Sequence, residues 1–240
     1  MFKRKPPIKV ERDPAQFLPF ARHVTDNIVA LDNGEYMAVF ALDGIAFETA
    51  DVATINDWHE KLNTAWRSVA HERVALMVHT VRRIERDYPD GEFRSSFARD
   101  LDAAYKARVL SKRMFVNEHY LTAIYRPAVG AADKAAASVF SFFSKATAEE
   151  AEDDIVEAFT DILRDTEKLL GRVNPRLLGL YEFNGLQFSE PMELIQRIMT
   201  ADQRRVPLVR AHLGRAVYSD RVIFGSELVE IREPGGSRYA

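Results

Sequence analysis

The run MFVNEHYLTAIYRP, Met114 to Pro127, decides the architecture. Met114 to Tyr125 reads as one strand, supported by its β-branched and aromatic residues, and Arg126-Pro127 closes it. Just upstream, the spacing predicts a helix over Phe93 to Arg113. Phe97, Leu101, Ala104, Tyr105 and Val109 fall at helical intervals, while Arg94, Arg99, Lys106, Arg108 and Lys112 take other positions. Arg73 to Val81, short and β-branched, reads as a buried strand, and Tyr88-Pro89-Asp90-Gly91 supplies a turn after it. Closer to the amino terminus, His23 to Leu31 and Glu35 to Leu42 form a hairpin around Asp32-Asn33-Gly34, a turn that tolerates positive φ. Asp43-Gly44 breaks the second strand. Thr49 or Asp51 then caps a helix carrying Val52, Ile55, Leu62, Trp66 and Val69 on one apolar face, which is expected to pack on the hairpin.

Downstream of Pro127 the composition changes. Pro127 to Thr147 is rich in alanine, and we read it as a connector; loops this long in compact domains are usually functional or mobile. Beyond it, Ile155, Phe159, Ile162, Leu163, Thr166, Leu169 and Leu170 follow the 3.6-residue period. Glu149, Glu150, Glu152, Asp153 and Asp154 crowd the amino end of that helix, where its dipole favours negative charge, and Gly171 and Pro175 mark its exit. Leu177 to Phe183 reads as a strand. Ser189 then caps a short helix with Pro191 in its first turn and Leu194, Ile195 and Ile198 facing inward. Two last strands, Ala216 to Phe224 and Leu228 to Arg232, end before Pro234-Gly235-Gly236. The expected fold is α+β, in two adjoining subdomains with antiparallel or mixed sheets covered by amphipathic helices. Its parts are a basic segment 1–22, a first subdomain 23–128, a connector 129–148 and a second subdomain 149–240.

Composition removes several classes of function. The chain has 240 residues, 47% hydrophobic and 29% charged, the balance of a globular protein with a sizeable core. Its longest mostly apolar stretch, Ala135 to Phe143, is too short to cross a bilayer. The start MFKRKPPIKVER is basic but lacks the apolar region and cleavage site of a secretory signal, and cysteine is absent; cytoplasm is the expected location. A formal net charge of −3 gives no global attraction to a polyanion, so a nucleic acid would have to meet a local patch. Three basic clusters are available: Lys3 to Arg12, Arg82 to Arg86, and Arg204 to Arg215.

Few residues suggest chemistry. His59 and His71 precede glutamates but lack the second histidine of a zinc-protease helix, so the six histidines read as packing or polar groups. Asp43, Glu48 and Asp51 follow a strand where sites often lie, yet turn and cap roles account for Asp43 and Asp51. Gly130 to Lys134 lacks the second glycine and the Ser/Thr of a phosphate loop, and no Gly-x-x-x-x-Gly-Lys-Ser/Thr sequence occurs anywhere. No catalytic, cofactor or metal residue is therefore assigned. Phe140, Phe142 and Phe143 fit burial against the second subdomain or exposure to a partner or membrane surface. Lys3, Arg4 and Lys5 fit a solvated tail or contact with anionic lipid or an acidic partner, where each charge contributes about 1 kcal/mol. These six residues are the candidate interface.

Several strings, from about His23 to Phe224, carry a family resemblance: LDG at Leu42–Gly44 with the following ETAD, HEKLN at His59–Asn63, NEHYLT before Arg126-Pro127, and FSEP before the short helix. Together they resemble the amino-terminal domain of the CagE/TrbE/VirB family, the ATPases of type IV secretion. The resemblance implies a front domain that precedes a RecA-like motor with Walker motifs, in an oligomer at the cytoplasmic face of the bacterial inner membrane. It implies ATP and magnesium in the parent protein and no cofactor or enzymatic activity in this part. Expected partners are inner-membrane components of the secretion apparatus, other copies through the parent protein, and the membrane surface peripherally, with nucleic acid not expected. The expected role is docking and assembly that couples the motor to membrane components for protein or DNA export, or conjugative transfer. The alternatives are a nucleic-acid-binding module using Arg204 to Arg215 and a small carboxylate-dependent enzyme around Glu48 and Asp51.

Overall fold

The computed structural model describes residues 14–70, 72–127, 145–218, 221–224, 227–233 and 236–239. Its centre is β3, Tyr36–Leu42, whose run YMAVFAL is buried from Tyr36 to Phe40. Such an uninterrupted apolar strand is what a sheet covered on both faces requires. Side chains alternate across it. Met37 and Val39 join one cluster with Val29, Leu178, Met192 and Val206, whereas Tyr36, Ala38 and Phe40 join the other with Leu121, Phe159 and Leu163.

One edge of β3 pairs along its whole length with β5, Met114–Tyr125, from Tyr36↔Tyr125 to Leu42↔His119. The other edge is shared. β2, Val29–Leu31, takes its start, and β6, Pro175–Leu177, takes its end. With β1, Phe20–His23, and β4, Val74–Glu85, the sheet has six antiparallel strands in the order β1-β2-β3-β5-β4, with β6 beside β3. The chain between β3 and β4 folds as α1, Val52–Val69, and that between β4 and β5 as α2, Ser96–Leu110.

Helix α3, Lys145–Leu169, covers one face through Phe159, whose fully buried ring stacks on Tyr125 at 5.4 Å. Helices α4, Glu190–Thr200, and α5, Leu213–Val217, cover the other through Met192, Leu194, Leu213 and Val217. A hairpin of β7, Leu180–Phe183, and β8, Leu186–Ser189, leads into α4. A separate three-stranded sheet is built from β9, Arg221–Phe224, β10, Val229–Glu233, and β11, Gly236–Tyr239. The architecture is α+β, as the sequence predicts.

Several predicted elements differ in detail. The strand from His23 to Leu31 is two strands, because Thr25 Oγ1 accepts from the amides of Asn27 and Ile28 and folds the intervening residues into a turn. The strand from Leu177 to Phe183 is likewise divided between β6 and β7. Gly179 sits at that break, where a Cβ would lie 2.5 Å from Asn27 Nδ2 and force that side chain to move. The sheet's last strand β4 is an edge rather than a buried strand, and its exposure alternates along its length. Asp51 does cap α1, accepting from Thr54 N at 2.7 Å. The helix lies against α3, however, and buries only Ala65 and Val69, while Trp66 reaches the cluster containing Tyr36 and Phe40. In α4 Ile198 is exposed. Ala216 and Val217 belong to α5, and β11 adds a strand after Pro234-Gly235.

Candidate docking site

Candidate chemistry does not assemble. Asp43 accepts from Asn174 Nδ2 at 2.6 Å, Asp51 caps α1, and Glu48 is exposed in the intervening loop; no hydrogen bond links the three. Four of the histidines have structural partners: His79 meets Thr122 at 3.0 Å, His119 meets Thr80 at 3.1 Å, His212 meets Asp32 at 2.9 Å, and His23 meets both Thr25 and Ser189. His23 Nδ1 donates to the Thr25 carbonyl at 3.1 Å, which leaves Nε2 to accept from Ser189 Oγ at 2.8 Å. That serine is fully buried and also caps α4, accepting from Met192 N, so the pair is a joint rather than a nucleophile and its base. Among the described residues no three His, Asp or Glu side chains cluster as metal ligands. Two of the carboxyl-terminal arginines are also engaged. Arg204 pairs with Asp202, and Arg205 stacks over the Phe183 ring at 3.8 Å.

A charged joint fixes the sheet to α4. Glu118 on β5 accepts from Arg83 of β4 and Arg197 of α4, each at 2.5 Å, and from the Tyr120 hydroxyl at 2.9 Å. Burial alone would raise the Glu118 pKa. The hydrogen bonds from Arg197, Arg83 and Tyr120, with the charge of Arg197, outweigh it and lower the pKa from 4.5 to about 2. Arg176 on β6 forms a second tie, both carboxylate oxygens of Glu190 lying within 2.9 Å of its Nη1.

Among the described residues, three surfaces are left without partners. The first is the outer edge of β4, whose 12 residues pair only with β5 and which exposes Met77, Val78 and Ile84. A strand edge of this kind is a template for another strand.

The second is helix α2, in which no residue is buried. Its attachment is polar. The Tyr88 hydroxyl donates to Asp102 at 2.7 Å, Lys106 binds Asp90 at 2.8 Å, and the Tyr88 and Tyr105 rings lie 6.3 Å apart. The apolar stripe therefore turns outward, leaving Phe97 75%, Leu101 60% and Tyr105 58% exposed. From Arg94 to Arg113 the segment carries six basic and two acidic side chains.

The third is a groove of about 450 Å³ between α1, the loop after β3 and the end of α3. Ile45, Phe47, Ile55, Trp58, Leu62 and Leu169 line it, and Arg172 lies over the Trp58 ring at 5.2 Å. Its size is that of a small ligand pocket or of a slot for a few large side chains.

The interface proposed from sequence, Lys3, Arg4, Lys5, Phe140, Phe142 and Phe143, lies outside the described residues, as does the run from Gly130 to Lys134. The α2 stripe was visible as a periodicity, but its outward orientation was not. The same spacing serves a core face or a partner face.

Residues 27–132 match the family described as type IV secretion system ATPase VirB4/TrbE, N-terminal domain. The type IV secretion system protein virB4 of Bartonella quintana is 35% identical over 234 residues, covering 97% of this chain and 30% of that protein. Protein virB4 of Agrobacterium fabrum is 34% identical over 232 residues, with 95% and 28% covered. The PtlC protein of Bordetella pertussis is 31% identical over 238 residues, with 96% and 28% covered. Residues 27–132 are a VirB4/TrbE N-terminal domain, and nearly the whole chain is similar to VirB4-type secretion proteins. It spans about 30% of the length of these relatives. No helix among the described residues is long and apolar enough to cross a membrane.

Proposed function

We propose that this chain is the docking and assembly domain of a type IV secretion ATPase, joining a motor to inner-membrane components at the cytoplasmic face of the membrane. ATP and magnesium belong to the motor in this reading, and the domain itself neither hydrolyses nucleotide nor holds a cofactor. Its work is mechanical: to receive a membrane partner on one surface, hold other copies on another, and transmit movement between them for export or conjugative transfer.

The observation that carries this reading is the open edge of β4. Its 12-residue length, alternating exposure and apolar Met77, Val78 and Ile84 suit the addition of an extended segment from a partner. The charged joint supports it from behind. Arg83 on β4 and Arg197 on α4 grip the same carboxylate, so displacement of the edge strand is transmitted directly to the carboxyl-terminal helices.

The test is binding of the 240-residue chain to synthetic peptides covering the cytoplasmic segments of the inner-membrane proteins of its own secretion system. Saturable binding that is lost on Val78→Pro, a change that disturbs the edge strand, is the expected result. Failure of every such segment to bind overturns the reading.

A further inference from the structure

The apolar groove beside α1 continues past Leu169. A second cavity, of about 430 Å³, shares that residue as a wall and is lined further by Val69, Val74 and Ile162. On the α1 side the two cavities extend from Ile55 to Val69, which at about 1.5 Å per helical residue makes a trough roughly 20 Å long. α3 supplies the facing wall from Ile162 to Leu169. Large apolar side chains stand exposed along it: Phe47, Leu62 and Leu169. A small molecule would fill one cavity. A trough of this length, walled by two helices, has the shape that receives the apolar face of a third.

Charge selects among such helices. In the second cavity Asp165 and Lys168 pair with each other at 3.0 Å, so that end is neutral. The first is lined by Lys61, Arg172 and His59 and by no carboxylate. Lys61 is held by Asp57 at 2.7 Å. Arg172 is different: its guanidinium lies over the Trp58 ring, and among the described residues no carboxylate pairs with it. The uncompensated charge of the trough is therefore positive and sits at one end.

We propose that the trough binds a helical segment of a partner protein, one that presents large apolar side chains at i, i+3 or i+4, and i+7, with an acidic residue placed beside Arg172. The apolar side chains supply the affinity, because they remove Trp58, Leu62 and Leu169 from water. The acidic residue fixes which way round the helix lies and makes binding sensitive to salt. This inference rests on the reading of the chain as a docking domain, and it adds a site for a helical segment to the β4 edge that takes an extended one.

The experiment is selection of binders to the 240-residue chain from a displayed library of random 16-residue peptides. Enriched peptides, made without tryptophan, are then titrated at low and high salt. The half-buried Trp58 ring reports occupancy, because an apolar face laid over it shifts its emission to the blue; Trp66, the other tryptophan, packs against the cluster of Tyr36 and Phe40. Leu62→Glu and Arg172→Gln are measured beside the unaltered chain, together with Val78→Pro at the β4 edge. The Leu62 and Arg172 side chains are exposed, so circular dichroism is expected to show an unchanged fold for both variants.

The expected peptides combine acidic residues with large apolar ones at helical spacing and bind more weakly in high salt. Their affinity is expected to fall at least about 10-fold on Leu62→Glu and about 3-fold on Arg172→Gln, and to be unchanged on Val78→Pro. A selection repeated on Arg172→Glu is expected to lose the preference for acidic residues. Enrichment of no peptide, or of peptides without acidic residues, overturns the proposal, as does binding that Leu62→Glu leaves intact. Peptides lost on Val78→Pro but not on Leu62→Glu lie on the β4 edge; the docking reading then stands and this inference falls. Binding in the trough while no inner-membrane segment binds the chain has the opposite meaning, removing the membrane partner and keeping the site.

Discussion

Replacing Glu118 by glutamine tests whether the charged joint fixes α4 to the sheet. The change keeps the shape of the side chain and removes the charge that Arg197 and Arg83 share. One pKa unit corresponds to about 1.4 kcal/mol, so the displacement from 4.5 to about 2 sets a ceiling of about 3 kcal/mol. Solvent lowers that figure. The Glu118 side chain is 25% exposed and Arg83 41%, whereas Arg197 is 10% exposed, and we expect a loss of about 2 kcal/mol at neutral pH. With a urea m-value of about 2–3 kcal/mol/M, the unfolding midpoint falls by roughly 0.7–1 M. The pH dependence has a definite sign. The folded pKa lies below the unfolded one, so the contribution is complete above about 4.5 and is lost as pH falls towards about 2. Subtracting the variant's stability from that of the unaltered chain at each pH isolates this component from other carboxylates. A difference below about 0.3 kcal/mol at neutral pH, or one that does not shrink on acidification, refutes the role given to this joint.

The remaining predictions concern the core and the second joint. Phe159→Ala removes a fully buried ring stacked on Tyr125 and is expected to cost about 3–5 kcal/mol, read from denaturant unfolding. Burial lowers the pKa of His23 below its ordinary 6.5, so the folded chain favours the neutral ring. Stability contributed by the neutral ring is therefore full above about 6.5 and falls as pH drops below it; His23→Gln removes that component, and NMR titration of the imidazole checks the pKa directly.

Much of the sheet was legible because its signals are local. Asp51 and Ser189 appear as caps in sequence and act as caps in structure, since a short acceptor before an apolar helix serves its own nearby amides. The same locality makes Met114 to Tyr125 a strand and Asp32 to Gly34 a turn, with φ of +81° at Gly34. What sequence could not give was the choice of neighbour. Phe97 and Leu101 have the periodicity of a core face, but the polar contacts of Asp102 and Lys106 with Tyr88 and Asp90 turn them outward. The β-branched run of β4 reads as buried, yet its position at the end of the strand order leaves one side open. Glu118, Arg83 and Arg197 lie in three separate elements, and no spacing marks them as a set.

The division of the free edge of β3 between β2 and β6 bears on how this chain is made. β6 reaches that edge only long after β3 has been made; the nearby Asn174–Asp43 hydrogen bond joins residues 131 positions apart. A ribosome releases the front of a chain first, and long-range strand pairing is slow because a large loop must close before any contact rewards it. Met37 and Val39 are therefore translated long before Leu178, Met192 and Val206, which bury them. A fragment cut to residues 27–132, the span that matches the family, would carry that bare apolar face permanently and would be expected to clump rather than fold.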